Sequence, residues 1–199
     1  MRSKKIVMAV TTLALLATLA PVAGAQDLHP SRRPSPMGMA RTHLGDTYVR
    51  VVYSRPYERG RDNIFGTADS GALVPFGQVW RTGANEATEI TVTGDVVVAG
   101  QPLAAGTYSL FTTPGAEQWQ VHFNSKLGLS GTGTFAGGEF TPVDLEATDA
   151  LTVSVPVTAL AEDDAVDQFT ISFDDGEAGT EMVMRWVRTE VRVPIRLPG

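Results

Sequence analysis

Short runs of valine, threonine, isoleucine and aromatic residues recur along the chain, and most of them end at a glycine- or proline-containing turn. Side chains of these types favour β-strands, where branched and aromatic groups pack well on a pleated surface. No segment after residue 25 shows the long 3.6-residue period of an amphipathic helix. The pattern predicts an all-β fold, namely a single-domain antiparallel β-sandwich with jelly-roll-like topology and one long ordered loop.

The runs that we expect to form strands are residues 47–53, 88–93, 96–98, 106–112, 119–123, 151–157, 168–173, 181–187 and 189–195. In residues 119–123, alternation places Trp119 and Phe123 on one face of the strand and His122 on the other. The apolar face is expected to point into the core. His122 is therefore predicted to face the surface.

The N-terminal segment, residues 1–25, has the composition of a signal peptide. Basic residues at positions 2, 4 and 5 precede an apolar run over residues 6–20, and Ala23-Gly24-Ala25 offers a cleavage site. This run is shorter than the roughly 20 residues that a transmembrane helix needs. We expect an exported protein, periplasmic or extracellular, with no transmembrane segment in its mature chain.

Residues 26–43 contain prolines and arginines among serine and methionine, a composition that predicts an N-terminal arm. The β-sandwich domain is then expected over residues 44–199. Cleavage after Ala25 removes three of the 16 basic residues and none of the 22 acidic ones, so the mature net charge is 13 minus 22, or −9. An acidic chain disfavours nucleic acid as a partner.

The chain has no sequence motif for a cofactor or a metal ion. It contains no cysteine, no Walker-type loop and no G-x-S-x-G element. The three histidines, His29, His43 and His122, are isolated and lack the spacing of a zinc site. We expect no cofactor and no metal, and the oligomeric state is left open.

Residues 58–85 do not read as strand, because glycine recurs there every five to six positions. A connection of this length is uncommon in a compact domain unless it is functional or has order of its own. We expect an ordered loop over one end or edge of the sheet, attached by its apolar side chains, which are Ile64, Phe65, Leu73, Val74, Phe76 and Val79.

The end of this loop carries the densest set of functional groups in the chain, Val-Trp-Arg-Thr-Gly-Ala-Asn-Glu-Ala-Thr at residues 79–88. Guanidinium groups suit carboxylates and phosphates, and amide and aromatic groups suit sugars. We therefore expect a small anionic or sugar-like ligand near the candidate residues Arg55, Arg61, Trp80, Arg81, Asn85 and Glu86. In the alternative interpretation, Arg81 and Glu86 form an ion pair that fastens the loop to the sheet.

Three functions are compatible with these observations. The first is a noncatalytic ligand-binding or envelope-associated module. The second is a periplasmic hydrolase that uses Glu86, whose pKa would be raised by an apolar setting beside Trp80, although the sequence singles out no second acid or base. The third is a structural or protein-interaction domain, which a large exposed apolar patch would favour.

An ordered string of motifs carries a resemblance to a known family. It includes Tyr53-Ser54-Arg55-Pro56, Ile64-Phe65-Gly66, Val74-Pro75-Phe76-Gly77 and the Trp-Arg-Thr-Gly-Ala-Asn-Glu block at residues 80–86. Together they resemble the bacterial family named domain of unknown function 2911, from about Ser35 to the C-terminus. The resemblance implies an exported or envelope β-rich domain and no particular activity. His122 departs from the apolar residue usual at its position in that family.

Overall fold

The computed structural model describes residues 32–199 of the chain. Fifteen β-strands and one short α-helix, α1 (Leu145–Thr148), lie within these residues. The strands are β1 (Met37–Leu44), β2 (Thr47–Ser54), β3 (Phe65–Gly66), β4 (Val74–Pro75), β5 (Thr88–Val92), β6 (Val96–Val98), β7 (Gln101–Leu103), β8 (Gly106–Thr113), β9 (Gln118–Asn124), β10 (Gly133–Ala136), β11 (Glu139–Pro142), β12 (Asp149–Ala159), β13 (Val166–Gly176), β14 (Gly179–Val187) and β15 (Thr189–Arg196). The nine runs expected from the sequence correspond to β2, β5, β6, β8, β9 and β12 to β15.

Most strands belong to one antiparallel sheet with the order β1-β2-β5-β8-β9-β12-β15-β14-β13, which β6 and β7 extend beside β15. Residues 149–156 of β12 pair with β9, and residues 157–159 pair with β15, so one strand joins the two halves. The strands at the two ends of this order, β1 and β13, leave an open seam between them. Near this seam, the Tyr53 hydroxyl of β2 accepts a hydrogen bond from the Ile171 amide of β13 at 2.8 Å. The sheet is nearly closed into a barrel, and the prediction of an all-β sandwich or barrel-like fold is confirmed.

The barrel interior is filled by side chains that alternate along the strands. In β9, Trp119, Val121 and Phe123 are buried on one face, as their spacing predicts. Aromatic rings from several elements meet in the core, with centroids between 5.0 and 6.1 Å apart. These rings belong to Phe65, Trp80, Trp119, Phe169 and Trp186. Aromatic contacts of this kind contribute about 0.5–1.5 kcal/mol each beyond the burial of their area.

The long loop over residues 58–85 is ordered. β3 and β4 pair in parallel within it, and the amide of Val74 donates to the carbonyl of Ile64 at 2.8 Å. Ile64 and Val74 are buried, and Phe65 packs against the core tryptophans. Leu73 and Val79 remain exposed, so only part of the apolar set attaches the loop to the barrel.

The ordered sheet begins earlier in the chain than the predicted domain boundary at residue 44. β1 pairs with β2 along its whole length, from Met37 opposite Ser54 to Leu44 opposite Thr47. The last part of the predicted arm is therefore an outer strand of the barrel. The predicted signal peptide, residues 1–25, lies outside the described residues. Within residues 32–199, no helix is long and apolar enough to span a membrane.

An excursion over residues 125–148 covers the outer face of β8. It contains β10, β11 and α1, and it forms a second apolar cluster consisting of Ala87, Phe111, Leu129, Val143 and Leu145. Beside this excursion, His122 is only 8% exposed. The prediction that His122 faces the surface is wrong, because Thr113, Thr152 and Asp149 pack around its ring.

Candidate functional site

A cavity of about 360 Å³ lies between the long loop and the barrel. Its walls come mainly from residues 73–84, with Thr132 from the outer excursion and Trp186 from β14. Arg61 and Arg81 both line it. We refer to it as the arginine cavity.

Arg81 is the most unusual residue of this cavity. Its side chain is half-buried, and its Nε atom is fully buried with no hydrogen-bond partner. Within residues 32–199, its guanidinium forms no ion pair. Burial lowers the pKa of Arg81 below its ordinary value, because the charged guanidinium loses solvent.

The guanidinium of Arg81 lies against the backbone of Gly131. A Cβ atom at Gly131 would come within 3.3 Å of Nη1 of Arg81, and Gly131 has a positive φ of 73°. The Gly131–Thr132 segment is not among the site residues that the sequence pattern predicts. Its only signal in the sequence is a glycine-rich run at residues 128–133, which opens no helix.

Arg61 is the second guanidinium of the cavity. Its Nη2 atom donates to the carbonyl of Tyr57 at 2.5 Å, so one edge of the side chain is fixed. Its Nε atom is buried and has no partner among the described residues. Both arginines thus line one cavity, and the Nε atom of each is buried without a partner among the described residues.

Trp80 forms part of the cavity wall and belongs to the core. Its ring is 9% exposed and stacks on Trp186 with centroids 5.8 Å apart, and its Nε1 atom donates to the carbonyl of Gly83 at 2.9 Å. Its backbone also pairs with that of Thr112 through two hydrogen bonds. Trp80 is therefore a rigid wall and not an open platform on which a sugar would stack.

The backbone of residues 82–85 turns sharply to hold Arg81 in place. Thr82 and Asn85 have positive φ values of 53° and 59°, and the hydroxyl of Thr88 donates to the carbonyl of Thr82 at 2.7 Å. A Cβ atom at Gly83 would lie 2.7 Å from the carbonyl oxygen of Ser54, so the chain passes too close for any other residue. Much of the chemistry that makes this block conspicuous in the sequence serves its backbone geometry.

Three of the six predicted site residues lie away from the cavity. Arg55 donates to the carbonyl of Phe169 at 3.2 Å and to the hydroxyl of Thr170 at 2.8 Å, which attaches the end of β2 to β13. Asn85 donates to the carbonyl of Ser35 at 3.2 Å. These three contacts join one part of the chain to another. The structure brings Arg61, Trp80 and Arg81 together, and it separates them from Arg55, Asn85 and Glu86.

The interpretation of Arg81 and Glu86 as an ion pair is wrong. Glu86 binds Nη1 of Arg33 through both carboxylate oxygens, each at 2.7 Å, and its side chain is 54% exposed. Burial raises the pKa of Glu86, but hydrogen bonds from Arg33 and from its own amide, with the charge of Arg33, outweigh burial and lower it. The raised pKa expected for a general acid is therefore contradicted.

No group of three or more histidine, aspartate or glutamate side chains within residues 32–199 is placed to hold a metal ion. The charged groups of the arginine cavity are cationic, since its lining residues include two arginines and no acid. Its chemistry suits an anion.

The fold and the cavity define a barrel-like β-domain with an arginine-lined cavity beneath a long loop. The sequence signature of the family described as protein of unknown function (DUF2911) matches residues 35–195, and the chain belongs to this family. No curated protein and no solved structure matches the chain. The matched range contains every residue that lines the arginine cavity.

Proposed function

We propose that this domain binds a small anionic ligand, a carboxylate or a phosphate, in the arginine cavity. The observation that carries the proposal is the unpaired, half-buried guanidinium of Arg81. An ion removed from water without a partner costs several kcal/mol, and native proteins pair such groups or use them for binding. A bound anion supplies the missing partner.

The geometry of the two arginines supports this ligand class. A guanidinium presents its donors in a planar fork that matches two oxygens of a carboxylate or a phosphate. The Nε atom of each cavity arginine has an unused donor. The volume of about 360 Å³ lies near the lower end of the range for small-molecule sites. A ligand of a few non-hydrogen atoms to about the size of a monosaccharide phosphate fits this space.

The walls of the arginine cavity are held by contacts within the protein itself. Trp80 is fixed by stacking and by hydrogen bonds on its ring and backbone, and Arg61 is held by the carbonyl of Tyr57. Rigid walls reduce the entropy lost on binding. The hydroxyl of Thr132 and the amide of Gln78 add neutral polar groups beside the two cations.

A thermal-shift screen of small carboxylates, inorganic phosphate and sugar phosphates tests the proposal. A ligand that binds only the folded state raises the melting temperature, and a concentration one hundred times the Kd adds about 2.7 kcal/mol of stability. We expect Arg81→Gln and Arg61→Gln to abolish the shift.

Arg50→Gln is the matched control, because Arg50 is an exposed arginine on β2 away from the cavity. It is expected to keep the full shift. The proposal fails if no anion raises the melting temperature, or if Arg50→Gln reduces the shift as much as Arg81→Gln does.

We also propose that the protein is exported to the periplasm or the extracellular space. The basic start, apolar run and A-x-A site within residues 1–25 support this location. N-terminal sequencing of the protein recovered outside the cytoplasm tests it, and we expect the chain to begin at Gln26. Recovery of the uncleaved chain from the cytoplasm would contradict it.

A further inference from the structure

A hydroxyl, an imidazole and a carboxylate form a continuous chain on the outer face of the barrel. Oγ1 of Thr113 lies 3.0 Å from Nε2 of His122, and Nδ1 of His122 lies 2.7 Å from Oδ2 of Asp149. The three residues come from the end of β8, the middle of β9 and the start of β12. We call them the Thr113 triad. It is separate from the arginine cavity, none of whose lining residues belongs to it.

The hydrogen-bond directions in this triad follow from the chemistry of its members. An ionised carboxylate only accepts hydrogen bonds, so Nδ1 of His122 carries the proton that it donates to Asp149. When the ring carries only this proton, Nε2 is an acceptor and the Thr113 hydroxyl donates to it. This is the arrangement in which an imidazole acts as a general base toward a hydroxyl.

Asp149 is itself held by neighbours. Nδ2 of the buried Asn124 donates to Oδ1 at 2.7 Å, and the hydroxyl of Thr152 donates to Oδ2 at 3.0 Å. Thr152 lies directly opposite His122 in the register of β12 and β9. Asn124 and Thr152 are thus positioning residues, because they fix the carboxylate that orients the ring.

The Thr113 triad opens onto a cavity of about 710 Å³, which Thr113, His122 and Asp149 all line. Gln120 lines the same cavity and pairs directly with Thr113 across β9 and β8, so the two side chains stand beside each other on one face. Its amide forms no hydrogen bond within residues 32–199. A side-chain amide next to a nucleophile is one of the groups that stabilise an oxyanion.

We propose that the Thr113 triad is an acyl-transfer site that hydrolyses small carboxylic esters. Oγ1 of Thr113 attacks the acyl carbon while its proton moves to Nε2 of His122. The bond to the alcohol then breaks, and the alcohol leaves with that proton. Water attacks the acyl-threonine and gives a proton to His122, and the Thr113 oxygen departs with this proton as the acid is released.

The charge of the 710 Å³ cavity beside the Thr113 triad restricts which esters can bind there. Glu146 and Asp149 line it, and none of its lining residues is a lysine or an arginine. An anionic acyl group meets repulsion there, so neutral esters are the expected substrates.

Part of this network also closes the neck of the outer excursion. The amide and the hydroxyl of Ser125 donate to the carbonyl of Thr148, and Nδ2 of Asn124 donates to the hydroxyl of Thr148. These contacts involve Asn124, Ser125 and Thr148 and make no use of the Thr113 hydroxyl. A substitution that removes the Thr113 hydroxyl therefore distinguishes a catalytic role of the triad from a purely structural one.

Hydrolysis of p-nitrophenyl acetate by the wild-type protein and by Thr113 variants tests the proposal. Thr113→Val keeps the shape of the side chain and removes the hydroxyl, and we expect kcat/KM to fall at least about a hundredfold. Thr113→Ser restores a hydroxyl and is expected to keep most of the activity. Thr158→Val, at an exposed threonine of β12, is the matched control and is expected to leave the rate unchanged.

Peptide mass spectrometry after an acid quench provides the second measurement, and we expect the transferred acetyl group on Thr113. The proposal is overturned if the wild-type rate equals the buffer rate, if Thr113→Val matches the wild type, or if the acetyl group resides on another residue. A melting curve of each variant confirms that the compared proteins are folded.

Discussion

The arginine cavity and the outer face of β14 and β15 use the same side chain in opposite ways. On the outer face, Arg185 and Arg192 both bind the carboxylate of Glu190, and Arg192 also binds Glu181 at 2.8 Å. In the cavity, Arg81 forms no ion pair with any described residue. Pairing accounts for the outer arginines as structural elements, and the absence of pairing at Arg81 is the observation on which the proposed anion site rests.

We expect the largest effect on stability from the ion pairs of Glu190 with Arg185 and Arg192. Glu190 is 7% exposed and accepts hydrogen bonds from both arginines, so Glu190→Gln leaves two cations without their shared carboxylate. We expect the free energy of unfolding to fall by about 2 kcal/mol, the size of hydrogen bonds to charged groups. Urea denaturation measures it, with Glu177→Gln, at an exposed acid in the turn between β13 and β14, as the control.

A substitution in the arginine cavity is expected to change the free energy of unfolding in the opposite direction. Arg81→Met removes a half-buried charge that has no partner and keeps much of its volume, so the ligand-free protein should gain about 1 kcal/mol. The same variant should lose the thermal shift produced by anions. A loss of stability comparable to that of Glu190→Gln would mean that Arg81 has a structural partner, and the comparison would fail.

The pH dependence of stability provides a second way to distinguish the paired arginines of the outer face from the unpaired Arg81. Burial raises the pKa of Glu190, but the hydrogen bonds and charges of Arg192 and Arg185 outweigh it, and the pKa lies below its ordinary value of 4.5. A lowered pKa in the folded state contributes stability above the unfolded value and loses it as the pH falls through the folded value.

Wild-type stability should therefore decline below about pH 4.5, and Glu190→Gln should show a flatter decline over the same range. Urea denaturation at a series of acidic pH values measures both curves. Parallel curves would show that Glu190 does not carry this dependence. Arg81 is not expected to contribute, because its guanidinium stays charged throughout this range.

The smallest effect is expected at Glu86. Its ion pair with Arg33 lies at the surface, with the glutamate side chain 54% exposed, and such pairs contribute about 0–1 kcal/mol. Glu86→Gln should lower stability by about 0.5 kcal/mol and should leave anion binding unchanged. Calorimetric titration with the anion found in the screen measures binding by this variant. A loss of anion binding would show that Glu86 contributes to the site.

The sequence predicted the strands whose side chains alternate and the loop whose glycines interrupt that alternation. It missed β1, because this outer strand has no fully buried residue and therefore no apolar signature. It also missed the burial of His122, since the covering groups come from residues that lie far away in the chain. Alternation along a strand predicts the face on which a side chain lies. It does not predict whether a distant segment of the chain packs over that face.

The candidate site was predicted in part for a similar reason. Trp80 and Arg81, which their residue types singled out, line one cavity, but the partners of their side chains could not be assigned from spacing. Glu86 lies close to Arg81 in the sequence, yet it pairs with Arg33, because the positive φ of Asn85 and the turn before it direct the chain toward the N-terminal segment. Ion pairs depend on such turns, which a linear pattern does not resolve.

The division of β12 between two neighbours has a consequence for cooperativity. Because residues 149–156 pair with β9 and residues 157–159 pair with β15, detachment of this strand breaks hydrogen bonds in both halves of the barrel at once. The two halves are expected to open together as a single foldon, with amide protons of β9 and β15 exchanging at the same rate when opening is global. The barrel then behaves as one unit in unfolding, although its strands form two pairing neighbourhoods.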